Sequence, residues 1–114
     1  MSNTADAYLD NLRASPVSLG IALRLSGEID LSNAQDLKDA LDEGLEVGGS
    51  ILIDVSELSF IDSAGVHVWV QAAEALRDRG CLVIHGERKS LGRLLDLLGV
   101  DDMVKNLHRV HHAS

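Results

Sequence analysis

The stretch Ile51–Gln71, ILIDVSELSFIDSAGVHVWVQ, decides how the rest of this chain is read. It opens on an apolar, β-branched run, Ile51-Leu52-Ile53, set off by Gly48-Gly49-Ser50, and reads as a buried strand. Val55-Ser56-Glu57-Leu58-Ser59-Phe60-Ile61 then loses the alternation and reads as a segment crossing to Asp62-Ser63. Beyond that point Val66, Trp69, Val70, Ala73 and Leu76 recur at helical spacing. Asp62 and Ser63 therefore stand where a loop becomes a helix, with Ser63 at or beside the N-cap. Backbone N–H groups of a first turn lack intrahelical partners, and the helix dipole adds positive potential there.

A serine in that place has two compatible readings. It can cap the helix by accepting a hydrogen bond from an unpaired N–H, which stabilises by about 1 kcal/mol. It can also be a reversible phosphorylation site, because free N–H donors would receive the phosphate oxygens without disturbing the fold.

Working outward, the 114 residues suit one domain around one core. Hydrophobic residues make up 46% but aromatics only 3%, so the interior must be built from Leu, Ile, Val and Ala. A formal charge of −8 disfavours nucleic acid and anionic membranes, whose phosphates need clustered Lys and Arg. No apolar run approaches the roughly 20 residues of a membrane span. The opening MSNTADAYLDNL lacks a basic region followed by an apolar one, so no secretory signal is expected. The single cysteine, Cys81, fits a reducing cytosol and reads as a small core hydrophobe rather than a reactive thiol. A cytoplasmic domain is the expectation.

Residues 1–16 form an N-terminal extension. Met1 to Asp6 are expected to fray, and Tyr8, Leu9 and Leu12 are compatible with an edge strand or a short helix; Pro16 breaks what precedes it. Ile21, Leu23 and Leu25 alternate as one face of a strand, followed by a turn with Glu28 and Asp30. A helix follows, capped by Ser32 or Asn33, with Ala34, Leu37, Leu41 and Leu45 inward and Gly44, Gly48 and Gly49 as stopping points. The central helix runs to about Arg79. Trp69 belongs to its apolar stripe, while Val68, Ala72 and Ala75 form a partly exposed apolar shoulder. Cys81-Leu82-Val83-Ile84 reads as another strand. Arg88 to Leu98 reads as a helix with Leu91, Leu94, Leu95 and Leu98 inward and Gly99 after it. The domain is drawn over 17–107, with 108–114 as a disordered tail. Strands alternating with helices imply an α/β layer structure with a partly parallel sheet.

Enzymatic chemistry finds little support. Phe60 and Ile61 replace the glycine that a G-x-S-x-G nucleophile elbow needs before Ser63, and no spacing supports His85 as a triad partner. His108, His111 and His112 lack a carboxylate or cysteine arrangement that would fix a metal, and no phosphate-cradling glycine loop is present. His67, four residues after Ser63, could reach a group on it, although an ordinary exposed helix position is the preferred reading. If the strand at Ile21 lies beside the strand at Ile51, Asp30 approaches Ser63 at one edge of the sheet; the alternative is a plain turn residue.

Three blocks carry a resemblance: LSGEID at Leu25–Asp30, IDVSELSFIDSAG at Ile53–Gly65, and LLDLLGVDD at Leu94–Asp102. In order and spacing they resemble the STAS domain of bacterial anti-sigma factor antagonists, from about Val17 to Val104. The resemblance implies a mixed four- to five-stranded sheet with helices packed mainly on one side. It implies a binding module without a cofactor, not an enzyme. The partner it implies is an anti-sigma factor with serine kinase activity, bound by the unphosphorylated form to free a sigma factor. Phosphorylation of Ser63 would end the complex, and a serine phosphatase would reset it. Glu28, Asp30, Asp62, Ala64, His67, Val68 and Ala72 are the residues expected to meet the partner. STAS domains also occur as subunits of lipid-transport systems and in stress-signalling assemblies, and the former normally lack the D-S-x-G pattern.

Overall fold

Ile21, Leu23 and Leu25 are buried while Arg24 between them is exposed, and this period of two makes Leu19–Ile29 a strand, β2. The computed structural model describes residues 6–11 and 19–110. β1, Asp6–Asn11, runs antiparallel beside β2, from Asp6 opposite Ser26 to Asn11 opposite Ile21. The choice between strand and helix at Tyr8 and Leu9 thus falls to strand; Leu12 and Pro16 lie outside the described residues. β3 (Ser50–Ile61), β4 (Leu82–His85) and β5 (Leu107–Val110) follow in the order β1-β2-β3-β4-β5, each parallel to its predecessor from β2 onward.

The crossovers are α1 (Ala34–Val47), α2 (Ser63–Leu76), and the pair α3 (Lys89–Leu98) and α4 (Val100–Met103). Every parallel step moves one strand in the same direction, and right-handed crossovers then put all helices on one face. Burial agrees. Leu37 and Leu41 of α1, Val66, Trp69 and Leu76 of α2, and Leu91 and Leu95 of α3 share one core with Ile21, Leu23, Ile51, Ile53 and Ile84. The opposite face carries Arg24 and Asp54, 3.6 Å apart.

The segment Val55–Ile61, read from sequence as a crossing, is instead the second half of β3. The register explains the misreading. Arg24 pairs with Asp54 but Ser26 with Glu57, and Gly27 pairs with Leu58 but Glu28 with Phe60, so β3 carries an extra residue at each step. Each such bulge moves the next inward position along by one. The buried residues therefore pass from Ile51, Ile53 and Val55 to Leu58 and Ile61, and the strand loses its alternation without ending.

Gly44 does not stop α1. It sits within the helix where a Cβ would come 2.4 Å from Ile21 Cδ1, so the residue is small because helix and sheet approach closely. Gly48 ends the helix, its N–H donating to Gly44 O. Leu45 is half-buried against the core, as is Leu94 of α3. Cys81 lies before β4 and is half-buried rather than a core strand residue.

The tail drawn at 108–114 is corrected: residues up to Val110 form β5, while His111 and His112 lie outside the described residues. Two side chains hold this strand in place. Asn106 donates to the carbonyls of Ala73 (2.7 Å), Arg77 (3.0 Å) and Gly80 (3.1 Å), closing the open end of α2. Arg109, only 3% exposed, meets both oxygens of Glu87 and one each of Asp96 and Asp101, and also donates to Gly92 O. These contacts hold its guanidinium strongly in the charged form.

Candidate functional site

The loops after β2 and β3 open at the same edge because the two strands pair to their last residues, Ile29 opposite Ile61. The ladder closes with Asp62 N–H donating to Ile29 O at 3.0 Å. Asp30 and Asp62, each one residue beyond a paired isoleucine, are thereby neighbours across the carboxyl end of the sheet. The condition set on Asp30, that the strand at Ile21 lies beside the strand at Ile51, holds.

Asp62 is the N-cap of α2. Its Oδ1 accepts the N–H groups of Ala64 at 2.9 Å and Gly65 at 3.3 Å, and Val66 N–H takes the Asp62 carbonyl at 3.1 Å. Ser63 is therefore the first helical residue and not the cap. Its side chain is exposed, and its hydroxyl makes no hydrogen bond among the described residues. Gly65 fixes how deeply the helix start sits: a Cβ there would lie 2.6 Å from Ile61 Cγ1 and 2.8 Å from Ile29 Cγ2. Only a residue without a side chain lets the first turn rest on the strand ends.

On the neighbouring loop Asn33 is buried at 7% exposure. Of the two residues expected to cap α1, Ser32 and Asn33, it is Asn33 that holds the N-cap position, but its side chain makes no capping hydrogen bond and turns back to the strand. Oδ1 accepts Asp30 N–H at 2.8 Å and Nδ2 donates to Glu28 O at 2.8 Å. Asp30 in turn accepts from the backbone N–H and the hydroxyl of Ser32, which hold its carboxyl below the ordinary carboxylate value. The carboxylate that faces the edge is oriented by this small network.

The remaining expected residues divide. Glu28 and His67 are exposed and Ala64 is half-buried, all near the same end of the sheet. Val68 and Ala72 are corrected: at 9% and 5% exposure they are covered, beside Leu41 and Leu45 in the cleft between α1 and α2. α1 lies against these two residues of the expected apolar shoulder, while the third, Ala75, is exposed. Two exposed apolar residues escaped the sequence reading, Leu31 at 81% and Phe60 at 51%. They follow Asp30 and precede Asp62, so they flank the Ser63 edge. An apolar residue at the end of a strand offers no sequence signal that separates exposed from buried. His85 ends β4 opposite Asp54, roughly 20 Å short of the helix start at about 3.3 Å per residue, so it does not serve Ser63.

The site is thus an exposed serine on a carboxylate-capped helix, at the carboxyl edge of an order-1-to-5 sheet with one layer of helices. The sequence matches the family model described as Mlab, STAS domain, over residues 17–105, and the chain belongs to the STAS domain family. An anti-sigma-B factor antagonist of Listeria monocytogenes is 37% identical over 87 residues, covering 75% of this chain and 76% of that protein. Among solved structures, an anti-sigma factor antagonist from Mycobacterium paratuberculosis aligns with a TM-score of 0.76 at 21% identity, over 95% of this chain and 88% of that one. SpoIIAA aligns in its unphosphorylated form with a TM-score of 0.69 at 14% identity, over 95% and 90% of the two chains. Its phosphorylated form gives 0.63 at 14%, over 94% and 93%. Among the described residues no helix is long and apolar enough to cross a membrane.

Proposed function

We propose that this protein is an anti-sigma factor antagonist whose unphosphorylated form binds an anti-sigma factor with serine kinase activity, and whose release follows phosphorylation of Ser63. The observation that carries the reading is the division of labour at the start of α2. Asp62 does the capping, which leaves the Ser63 hydroxyl exposed and without a hydrogen-bond partner among the described residues. The resemblance to antagonists by sequence, and to a protein solved in both phosphorylation states, supports the same reading.

The contact surface that follows is the carboxyl edge: Ser63, Ala64 and His67 of α2, the acids Glu28, Asp30 and Asp62, and the exposed Leu31 and Phe60. Phosphorylation adds about −1.5 to −2 charges. Two of the first-turn N–H groups already serve Asp62, and only the N–H of Ser63 itself is unclaimed among the described residues. The phosphate thus stands outward beside Asp62 instead of being absorbed into the helix end. A partner must then desolvate clustered negative charge that had been a hydroxyl, and each 1.4 kcal/mol lost weakens binding about tenfold. A serine phosphatase restores the binding form. ATP and the catalytic base belong to the kinase.

The test is a titration of a candidate anti-sigma factor kinase with wild-type protein, Ser63→Ala and stoichiometrically phosphorylated protein. Ser63→Ala should bind and persist, and the phosphorylated form should bind at least about tenfold more weakly. Equal affinities would sink the switch.

A further inference from the structure

β4 stops at His85, opposite Asp54, whereas β3 continues to Ile61. Beyond Asp54, β3 has β2 on one side and no strand on the other among the described residues. Side chains cover the start of this open edge: Ser56 N–H donates to Asp54 Oδ1 at 2.9 Å, and Arg88 Nη2 donates to Ser56 O at 3.2 Å. From Glu57 onward no hydrogen bond closes this edge among the described residues. A groove of about 280 Å³ runs along it, walled by Leu58, Phe60 and Ile61 on the strand and by Ser90, Leu91 and Leu94 on α3. This is where a longer β4 would have lain.

We propose that this groove docks an extended, acidic segment of a partner protein, which adds to the open edge of β3 as a strand and seats an apolar side chain against Leu91 and Leu94. An extended backbone matches the edge because alternate residues of a strand direct both N–H and C=O outward. A docked helix or a small apolar molecule would leave those groups unmatched. The charge follows from the walls: of the residues that line the groove only Arg88 is charged, and Lys89 beside it is exposed. Such a cationic rim is notable in a chain of net charge −8, and it favours carboxylates on the incoming segment. The inference does not rest on the Ser63 switch, since it is drawn from strand lengths and α3, although Phe60 borders both surfaces.

A randomised peptide library displayed on phage and panned against the whole chain tests it, with enriched sequences titrated as free peptides and followed by amide NMR. Enriched sequences should alternate apolar and acidic residues and shift the amides of Leu58–Ile61 and Ser90–Leu94. N-methylation of one alternating set of peptide amides should weaken binding about tenfold or more while the other set is neutral. Arg88→Gln combined with Lys89→Glu should cost about tenfold. Ser90→Phe, which fills the groove from an exposed position, should abolish binding, with both variants melting near wild type. Ser63→Ala should bind the peptides as wild type does, so this result stands or falls apart from the switch. Failure to enrich groove-binding peptides, shifts centred elsewhere, or indifference to N-methylation or to Ser90→Phe would overturn the proposal.

Discussion

Two groups of carboxylates in this protein behave in opposite ways. At the carboxyl edge Asp30 and Asp62 accept hydrogen bonds from their own loops and leave Ser63 free in solvent. At the far margin Glu87, Asp96 and Asp101 converge on Arg109, and the side chains of Arg109 and Glu87 are almost wholly buried. Both places use charge to organise a helix–strand junction. The difference is water. A buried pair must stay intact because neither member can be solvated alone, whereas exposed acids can be re-paired by a partner or by a modification.

The comparison breaks first at Arg109. Arg109→Met should take from Glu87 its two hydrogen bonds to the guanidinium and cost about 3–5 kcal/mol in urea unfolding, with most of the loss recovered by the double change Arg109→Met and Glu87→Leu. A loss below 1 kcal/mol would place this cluster with the exposed one. Next is Gly65→Ala, where the new methyl must push Ile61 and Ile29 aside; about 1–3 kcal/mol is expected from the same measurement. Asp62→Ala should cost about 1 kcal/mol as a lost cap, and Asp62→Asn less, because the amide oxygen can still accept.

Ser63→Ala should change stability by no more than about 0.5 kcal/mol, since its hydroxyl holds nothing in place. A loss comparable to that of Asp62→Ala would show that the serine does cap the helix. The smallest effect concerns Asp30. Its folded-state value is depressed, so its contribution is present above the unfolded value and is lost as pH falls through the folded one. Carboxyl NMR should find its midpoint below 3.8, and Ser32→Ala should return it toward that value. An unchanged midpoint in Ser32→Ala would remove the serine as the cause.

Helix-forming stripes were legible because their period is local. Leu37 and Leu41, the α2 stripe from Val66 to Leu76, and Leu91 with Leu95 are all buried. The Gly99 stop also matches, with φ 69° and its N–H donating to Asp96 O and Leu95 O. The strands were legible only where alternation survived. β3 defeated the reading after Val55 because its bulges exist only relative to β2, and LHRV at Leu107–Val110 is too short to declare itself beside histidines. The site was legible as a junction, Asp62-Ser63 between two periods, but the holder of the cap was not. A serine and an aspartate side by side are both good caps, and the backbone chooses.

The amino-acid sequence alone determined the class of layers and the position of the serine at a helix start, since these depend on periods and residue types within a few positions. Tertiary structure decided what is available. Val68 and Ala72 look like an open shoulder until α1 lies across them, and Phe60 looks like core until β4 stops short of it. Arg109 looks like a surface charge in a polar tail until three carboxylates from two helices and a loop close around it. Exposure belongs to pairs of elements distant in the chain, and no local pattern records which of them will meet.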